Sequence, residues 1–235
     1  MTIQNRDSFL NSIAENLGRP IRTKVERPTW NFLPQHEIMK DATADELVEV
    51  LKKQCENIHT TCLTTTTAKL PKTLQEVVDV CGGESVITWQ DERFEKFGLT
   101  PLMQQWPKNN IAFYEWDENN HDENIRQAEK ANIGITISEM TLAESGTAVL
   151  YSDPKRGRTM NFLPEKSIVL IPKSTIVPRI TQAARHIHKQ IEQGQQIPSC
   201  ILFMTGPSNS ADIEMVLIVG VHGPVKATYI IIEDQ

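Results

Sequence analysis

The sequence predicts an α/β fold, a mostly parallel sheet flanked by helices, behind an N-terminal helix and a proline-rich arm. Three observations carry that prediction. Short apolar runs recur at 132–137, 146–151, 167–171, 199–205 and 225–232, each brief enough to be a strand. Helical spacing occupies 176–193 between two of them, and strands alternating with helices at such intervals build parallel sheets. The 235 residues are also enough for a core that needs no disulfide or metal staple.

In chain order, residues 6–17 place Phe9, Leu10, Ile13 and Leu17 at helical spacing, with Gly18 as a stop and Pro20 just beyond. Pro20, Pro28 and Pro34 then make 19–35 an extended arm. Trp30, Phe32 and Leu33 would dock it, on its own domain or on a partner. Residues 1–40 thus read as helix and arm, and 41–235 as the α/β domain. Leu47, Val48, Val50 and Leu51 stripe a helix over 44–58. Threonine-rich 60–67 suits a strand, because β-branched side chains favour extended backbone. Leu74, Val77, Val78 and Val80 mark another helix, closed by Gly82-Gly83, and strands follow at 84–88 and 110–114. The acidic run 117–122 reads as a solvated turn opening a helix that continues through 125–131, since its ligand spacing is unspecific for a metal.

Charge and cysteines exclude several classes. Lys and Arg number 24 against 30 Asp and Glu, a net charge of -6 that argues against a general nucleic-acid binder, which needs a basic face. Cys55, Cys62, Cys81 and Cys200 show no C-x-x-C spacing, so no iron–sulfur or zinc ligand pattern is present and they read as reduced, mostly buried thiols. His186 and His188, two apart on a helix, do not share a face and make a poor metal pair. No apolar run approaches the ~20 residues that span a bilayer, and the polar, charged start lacks a signal-peptide pattern, so a cytoplasmic location is expected.

Ligands of parallel sheets gather where strands end, which directs attention to four loops. In 205–224, a strand expected to be buried on both faces (200–204) leads into the Gly206-Pro207 turn. Ser208, Asn209 and Ser210 would cap a helix near 209–216, with Asp212 and Glu214 in its first turn. Outward N–H groups at Gly206 and Ser208 would suit a phosphate or carboxylate, or the polar residues only cap the helix. His222, held between glycines in Gly220-Val-His-Gly223, is a candidate acid–base group, as is Asp212. Glu144 beside Ser145, Gly146 and Thr147 is a candidate base or nucleophile with two hydroxyls at hand, or part of a turn satisfied locally. In Asp153-Pro-Lys-Arg-Gly-Arg158, Arg158 could bind an anion bidentately or sit on a solvated hairpin tip. Lys173 follows strand 167–171, at the ligand edge of the sheet or as a plain surface charge.

Glu144-Ser-Gly-Thr147, IPKS-x-IVP at 171–178, GPSNSADIE at 206–214 and GVHGP at 220–224 fall in one order across 132–232. Together they resemble the LUD-domain family, in particular its lactate-utilisation members. That resemblance implies a fold similar to ribose-5-phosphate isomerase and the CoA-transferases. It also implies a part in oxidising L-lactate to pyruvate within a multiprotein complex, alongside two partner proteins that carry iron–sulfur centres. It assigns no cofactor and no catalytic residue to this chain. The alternative is an independent enzyme acting on a phosphorylated sugar or acyl-CoA, with Glu144 or His222 as the reactive group. A purely regulatory or binding module is the third class.

Overall fold

The computed structural model describes residues 4–22, 24, 26, 28–211 and 217–234. The chain divides into two compact units, Met1–Glu37 and Ile38–Gln235. In the first, helix α1 (Arg6–Asn16) is followed by a stretch with no helix or strand over its described residues, then a single 3-10 turn, Pro34–His36.

The second unit is built on six parallel strands. They are β1 (Thr60–Thr66), β2 (Ser85–Thr88), β3 (Ala112–Glu115), β4 (Ile133–Ile137), β7 (Lys166–Pro172) and β12 (Lys226–Glu233), hydrogen-bonded in the order β1-β12-β7-β4-β2-β3. The middle strands are apolar on both faces because both faces are covered. Along β7 and β12, Ile168, Leu170, Ile230 and Ile232 point to one core, and Val169, Ile171, Tyr229 and Ile231 to the other. The first core is roofed by α3 (Leu70–Val80), α4 (Arg93–Lys96) and α5 (Thr100–Gln105), through Leu74, Val78, Phe94 and Met103. The second takes α2 (Ala44–Asn57) and α6 (His121–Lys130), through Leu47, Leu51, Cys55 and Ala128.

A second sheet covers that face as well. It comprises β5 (Met140–Leu142), β6 (Thr147–Ser152), β8 (Ile176–Val177) and β9 (Cys200–Thr205) in the order β8-β5-β6-β9, antiparallel except for β5 with β8. Ala148 and Leu150 of β6 reach the shared core, while Val149 and Tyr151 face Ala183 of α7 (Ile180–Glu192) on the outside. The expected α/β architecture with a mostly parallel sheet is present.

Three local expectations are corrected. Strand 200–204 is not buried on both faces: β9 is the outer strand of the second sheet and Phe203 is 42% exposed. No helix starts at Asn209; Asn209–Ser210 (β10) pairs antiparallel with Ile218–Val219 (β11), so two of the three polar residues expected as caps form a ribbon instead and Ser208 precedes it. The rest of that predicted helix, 212–216, including Asp212, lies outside the described residues. Finally, the helix expected from 176 begins at Ile180, because Ile176–Val177 pairs with β5; Gln182 Oε1 accepts from the Arg179 N–H at its start.

Candidate functional site

Two of the four loops meet. Thr147 opens β6 and Thr205 closes β9, and their antiparallel register sets them opposite each other. Thr147 Oγ1 lies 2.7 Å from both Thr205 Oγ1 and Ser145 Oγ, a chain of three hydroxyls. Gly146 and Gly206 both adopt left-handed φ, +65° and +64°. A Cβ on Gly206 would come within 2.6 Å of the Ile58 carbonyl oxygen, and one on Gly146 within 2.6 Å of Ile58 Cδ1, so both turns press on the end of α2.

Tyr229 ties this junction together. Its hydroxyl, deep in the second core, donates to the Gly146 carbonyl at 3.0 Å, with the Met204 carbonyl at 3.3 Å, and accepts from the Gly206 N–H at 3.2 Å. Burial, the largest influence, raises the phenol's pKa above its usual value and keeps it a donor at neutral pH. Nothing in the loops points to Tyr229. The one available signal is a lone tyrosine in an apolar strand, whose hydroxyl must find a partner once buried.

The backbone groups expected to cradle an anion are engaged internally. The Gly206 N–H goes to Tyr229, the Ser208 N–H to the Pro224 carbonyl at 2.9 Å, and the Gly220 N–H to the Ser208 carbonyl at 2.9 Å. Ser208 and the glycine-histidine turn are therefore neighbours, and a Cβ on Gly223 would lie 3.2 Å from that of Ser208. His222 itself is exposed. Glu144 is also at the surface, where one of its oxygens accepts from Arg179 Nε at 2.6 Å.

Lys173 is elsewhere. It follows β7 and pairs with Asp45 at the start of α2. That contact raises the lysine's pKa and lowers the aspartate's. The thirteen residue steps from Asp45 to Ile58 correspond to about 20 Å of helix. Lys173 and the Gly146 turn thus lie at opposite ends of α2.

The carboxyl ends of β2 and β3 border a cavity of about 690 Å³, lined among others by Arg93, Lys96, Phe113, Glu115, Lys155 and Arg156. Loop 153–158 is latched over this edge by two tryptophans: Trp116 Nε1 donates to the Pro154 carbonyl at 3.0 Å and Trp89 Nε1 to that of Gly157 at 3.1 Å. Gly157 is obligatory there, since a Cβ would come 1.9 Å from the Trp116 ring. The cation this loop offers the cavity is not Arg158, which is exposed and absent from the lining, but Arg156 with Lys155. Arg156 and Arg93 both donate to Glu139 Oε1, Asp153 binds Arg156 Nε at 2.7 Å, and Asp91 takes Arg93 bidentately. Burial opposes ionisation of Asp91, but the Arg93 hydrogen bonds and charge outweigh it, so its pKa is lowered. Among the described residues, no group of three or more His, Cys, Asp or Glu is placed to hold a metal ion, and no helix is long and apolar enough to cross a membrane.

Residues 48–232 of this parallel sheet with its second, mixed sheet match the model of the LUD domain, and the chain belongs to the LUD-domain family. Its relatives make the placement finer. It is 55% identical over 236 residues to lactate utilization protein C of Geobacillus sp. (strain WCH70), and 50% identical over 236 residues to lactate utilization protein C of Bacillus subtilis (strain 168). Each comparison covers 100% of this chain and 98% of the relative. Among solved structures, a DUF162 family protein from Deinococcus radiodurans aligns with a TM-score of 0.56 over 81% of this chain and 99% of that one. At 14% sequence identity, that likeness concerns the fold.

Proposed function

We propose that this chain is a component of a cytoplasmic L-lactate utilisation system, acting with two iron–sulfur partner proteins in the oxidation of L-lactate to pyruvate. The observation that carries the reading is similarity at 50–55% identity, end to end, to proteins named lactate utilization protein C. Oxidising a 2-hydroxy acid to a 2-oxo acid removes two electrons and two protons. The iron–sulfur partners accept the electrons, and this chain contributes as a positioning or docking subunit. The local geometry supports that division of labour. Glu144 is paired with Arg179, His222 is exposed, and the glycine-turn N–H groups serve the fold, so among the described residues no nucleophile–base pair is assembled from these candidates.

The test is lactate oxidation by the reconstituted three-protein system with and without this chain. Loss of lactate-dependent electron-acceptor reduction in its absence, restored on adding it back, is the expected result. Full activity without it would refute the reading. Turnover of a phosphorylated sugar or an acyl-CoA by the isolated chain, lost on Glu144→Gln, would instead establish an independent enzyme.

A further inference from the structure

The function above makes no use of the cavity of about 690 Å³, although the sheet puts it where ligands collect. The chain leaves β2 toward α4 and α5, over the first core, and leaves the neighbouring strand β4 toward β5 and β6, over the opposite face. Adjacent parallel strands whose connections depart to opposite faces open a crevice outside their carboxyl ends, the usual ligand position in such sheets. Thr88 closes β2 between Ile135 of β4 and Glu115 of β3, and Glu115 lines the cavity. The volume falls within the roughly 300–1,000 Å³ of small-molecule sites and far exceeds what a lactate-sized acid fills.

The lining combines two chemistries. Phe113 packs against the first core and shares its face of β3 with Glu115, two residues on; Met103 and Pro107 extend the apolar wall. Loop 153–156 supplies the cations. Arg156 gives Nε to Asp153 at 2.7 Å and Nη1 to Glu139, so among the described residues Nη2 has no hydrogen-bond partner, nor has the Lys155 ammonium. Asp91 and Asp153 are neutralised by Arg93 and Arg156, whereas Glu92, Glu95 and Glu115 have no cation bound among the described residues. Partial burial raises the Glu115 pKa, as for a carboxylate turned toward the site.

We propose that this crevice binds a nucleoside phosphate, the phosphate taken by Arg156 Nη2 and the Lys155 ammonium, the ribose hydroxyls donating to Glu115, and the base lying on Phe113, Met103 and Pro107. A guanidinium edge with an ammonium beside it suits a phosphate group, which the lone carboxylate of a small acid would leave half used. β2, α4, α5 and β3 form a strand–crossover–strand unit at the crevice, and an acid ending the second strand of such a unit is placed for ribose hydroxyls; here that acid is Glu115. The turn after β2, Trp89-Gln-Asp-Glu-Arg93, has no glycine. It does not offer the close backbone approach that a dinucleotide's pyrophosphate needs, so side-chain cations carry the charge and the ligand is a mononucleotide.

The test titrates the purified full-length chain with ADP by calorimetry, with adenosine and inorganic pyrophosphate as its two halves. Saturable binding of one ADP per chain, tighter than either half, is the expected result. Lys155→Ala should weaken ADP about tenfold and leave thermal melting unchanged, because only the Lys155 backbone is hydrogen-bonded in the fold. Glu115→Ala should also weaken ADP about tenfold, yet bind the 2′,3′-dideoxy analogue, which has no ribose hydroxyl to donate, as wild type does. The absence of saturable ADP binding at millimolar concentration would overturn the proposal. So would pyrophosphate binding as tightly as ADP, or wild-type affinity for ADP in either variant. The measurement needs no partner protein, so its outcome is separate from that of the lactate-oxidation test.

Discussion

Tyr229 shows how much one atom can organise. Its hydroxyl serves two loops that lie 83 and 23 residues before it in sequence, and it does so deep in the core. Tyr229→Phe keeps the ring in the core but leaves the Gly206 N–H and the Gly146 carbonyl without their partner. The expected cost is about 1–3 kcal/mol, that of stranding buried polar groups. Urea denaturation of the purified variant measures it, and a change below about 0.5 kcal/mol would mean that the turns find other partners. Gly146 and Gly206 are the complementary residues, because left-handed φ strains a side chain at both positions and at Gly206 the Ile58 carbonyl also leaves no room for one.

At the scale of elements, α2 sets the distances between candidate residues. It starts with a capping box, in which Thr43 Oγ1 accepts from the Glu46 N–H at 3.3 Å while Glu46 Oε2 accepts from the Thr43 N–H at 2.7 Å. Thr43→Ala removes half of that box and should cost about 1 kcal/mol. Because Asp45 is next in the same turn, the Lys173 pair should loosen too; hydrogen exchange faster in 44–47 than in the last turn of α2 is the expected signature, and uniform exchange along the helix would count against it. The helix itself was legible from the stripe of Leu47, Val48 and Leu51, as were the strands β4, β6, β7 and β12, because buried strands and amphipathic helices write different periods. Other features were not. Cys200-Ile-Leu-Phe-Met204 has the same apolar composition whether it is central or at an edge, and only pairing decides. Ser208, Asn209 and Ser210 satisfy a turn or ribbon as readily as a helix start. The motifs at 144–147 and 206–208 were each visible as loops after or before strands, but their meeting depends on the register of β6 with β9. The separation of Lys173 from them depends on the length of α2. Arg93, Glu139 and Arg156 come from three distant segments with no shared motif, so nothing local announced their network.

Over the whole molecule, that network joins the carboxyl edge of the parallel sheet to the second sheet. Asp91 follows β2, Arg93 opens α4, Glu139 lies between β4 and β5, and Asp153 and Arg156 belong to the latched loop after β6. The Asp91 side chain is 7% exposed and Arg93 23%, so solvent screening is limited and removing one charge leaves the other poorly compensated. Asp91→Asn should therefore cost about 3 kcal/mol at neutral pH. The pH dependence follows from the sign of the shift. The aspartate's native pKa lies below its ordinary 3.8, so the unfolded chain takes up the proton first as pH falls. The stabilisation is complete above 3.8 and is lost as pH drops through the lower, native value. In Asp91→Asn that titration is absent, so the wild type and variant stabilities should converge as acid is added below pH 3.8. Urea midpoints taken from neutral pH down to the onset of acid unfolding test this directly. A gap between wild type and variant that stays constant through that range would show that the carboxylate's charge contributes nothing, and that the asparagine acts by packing alone.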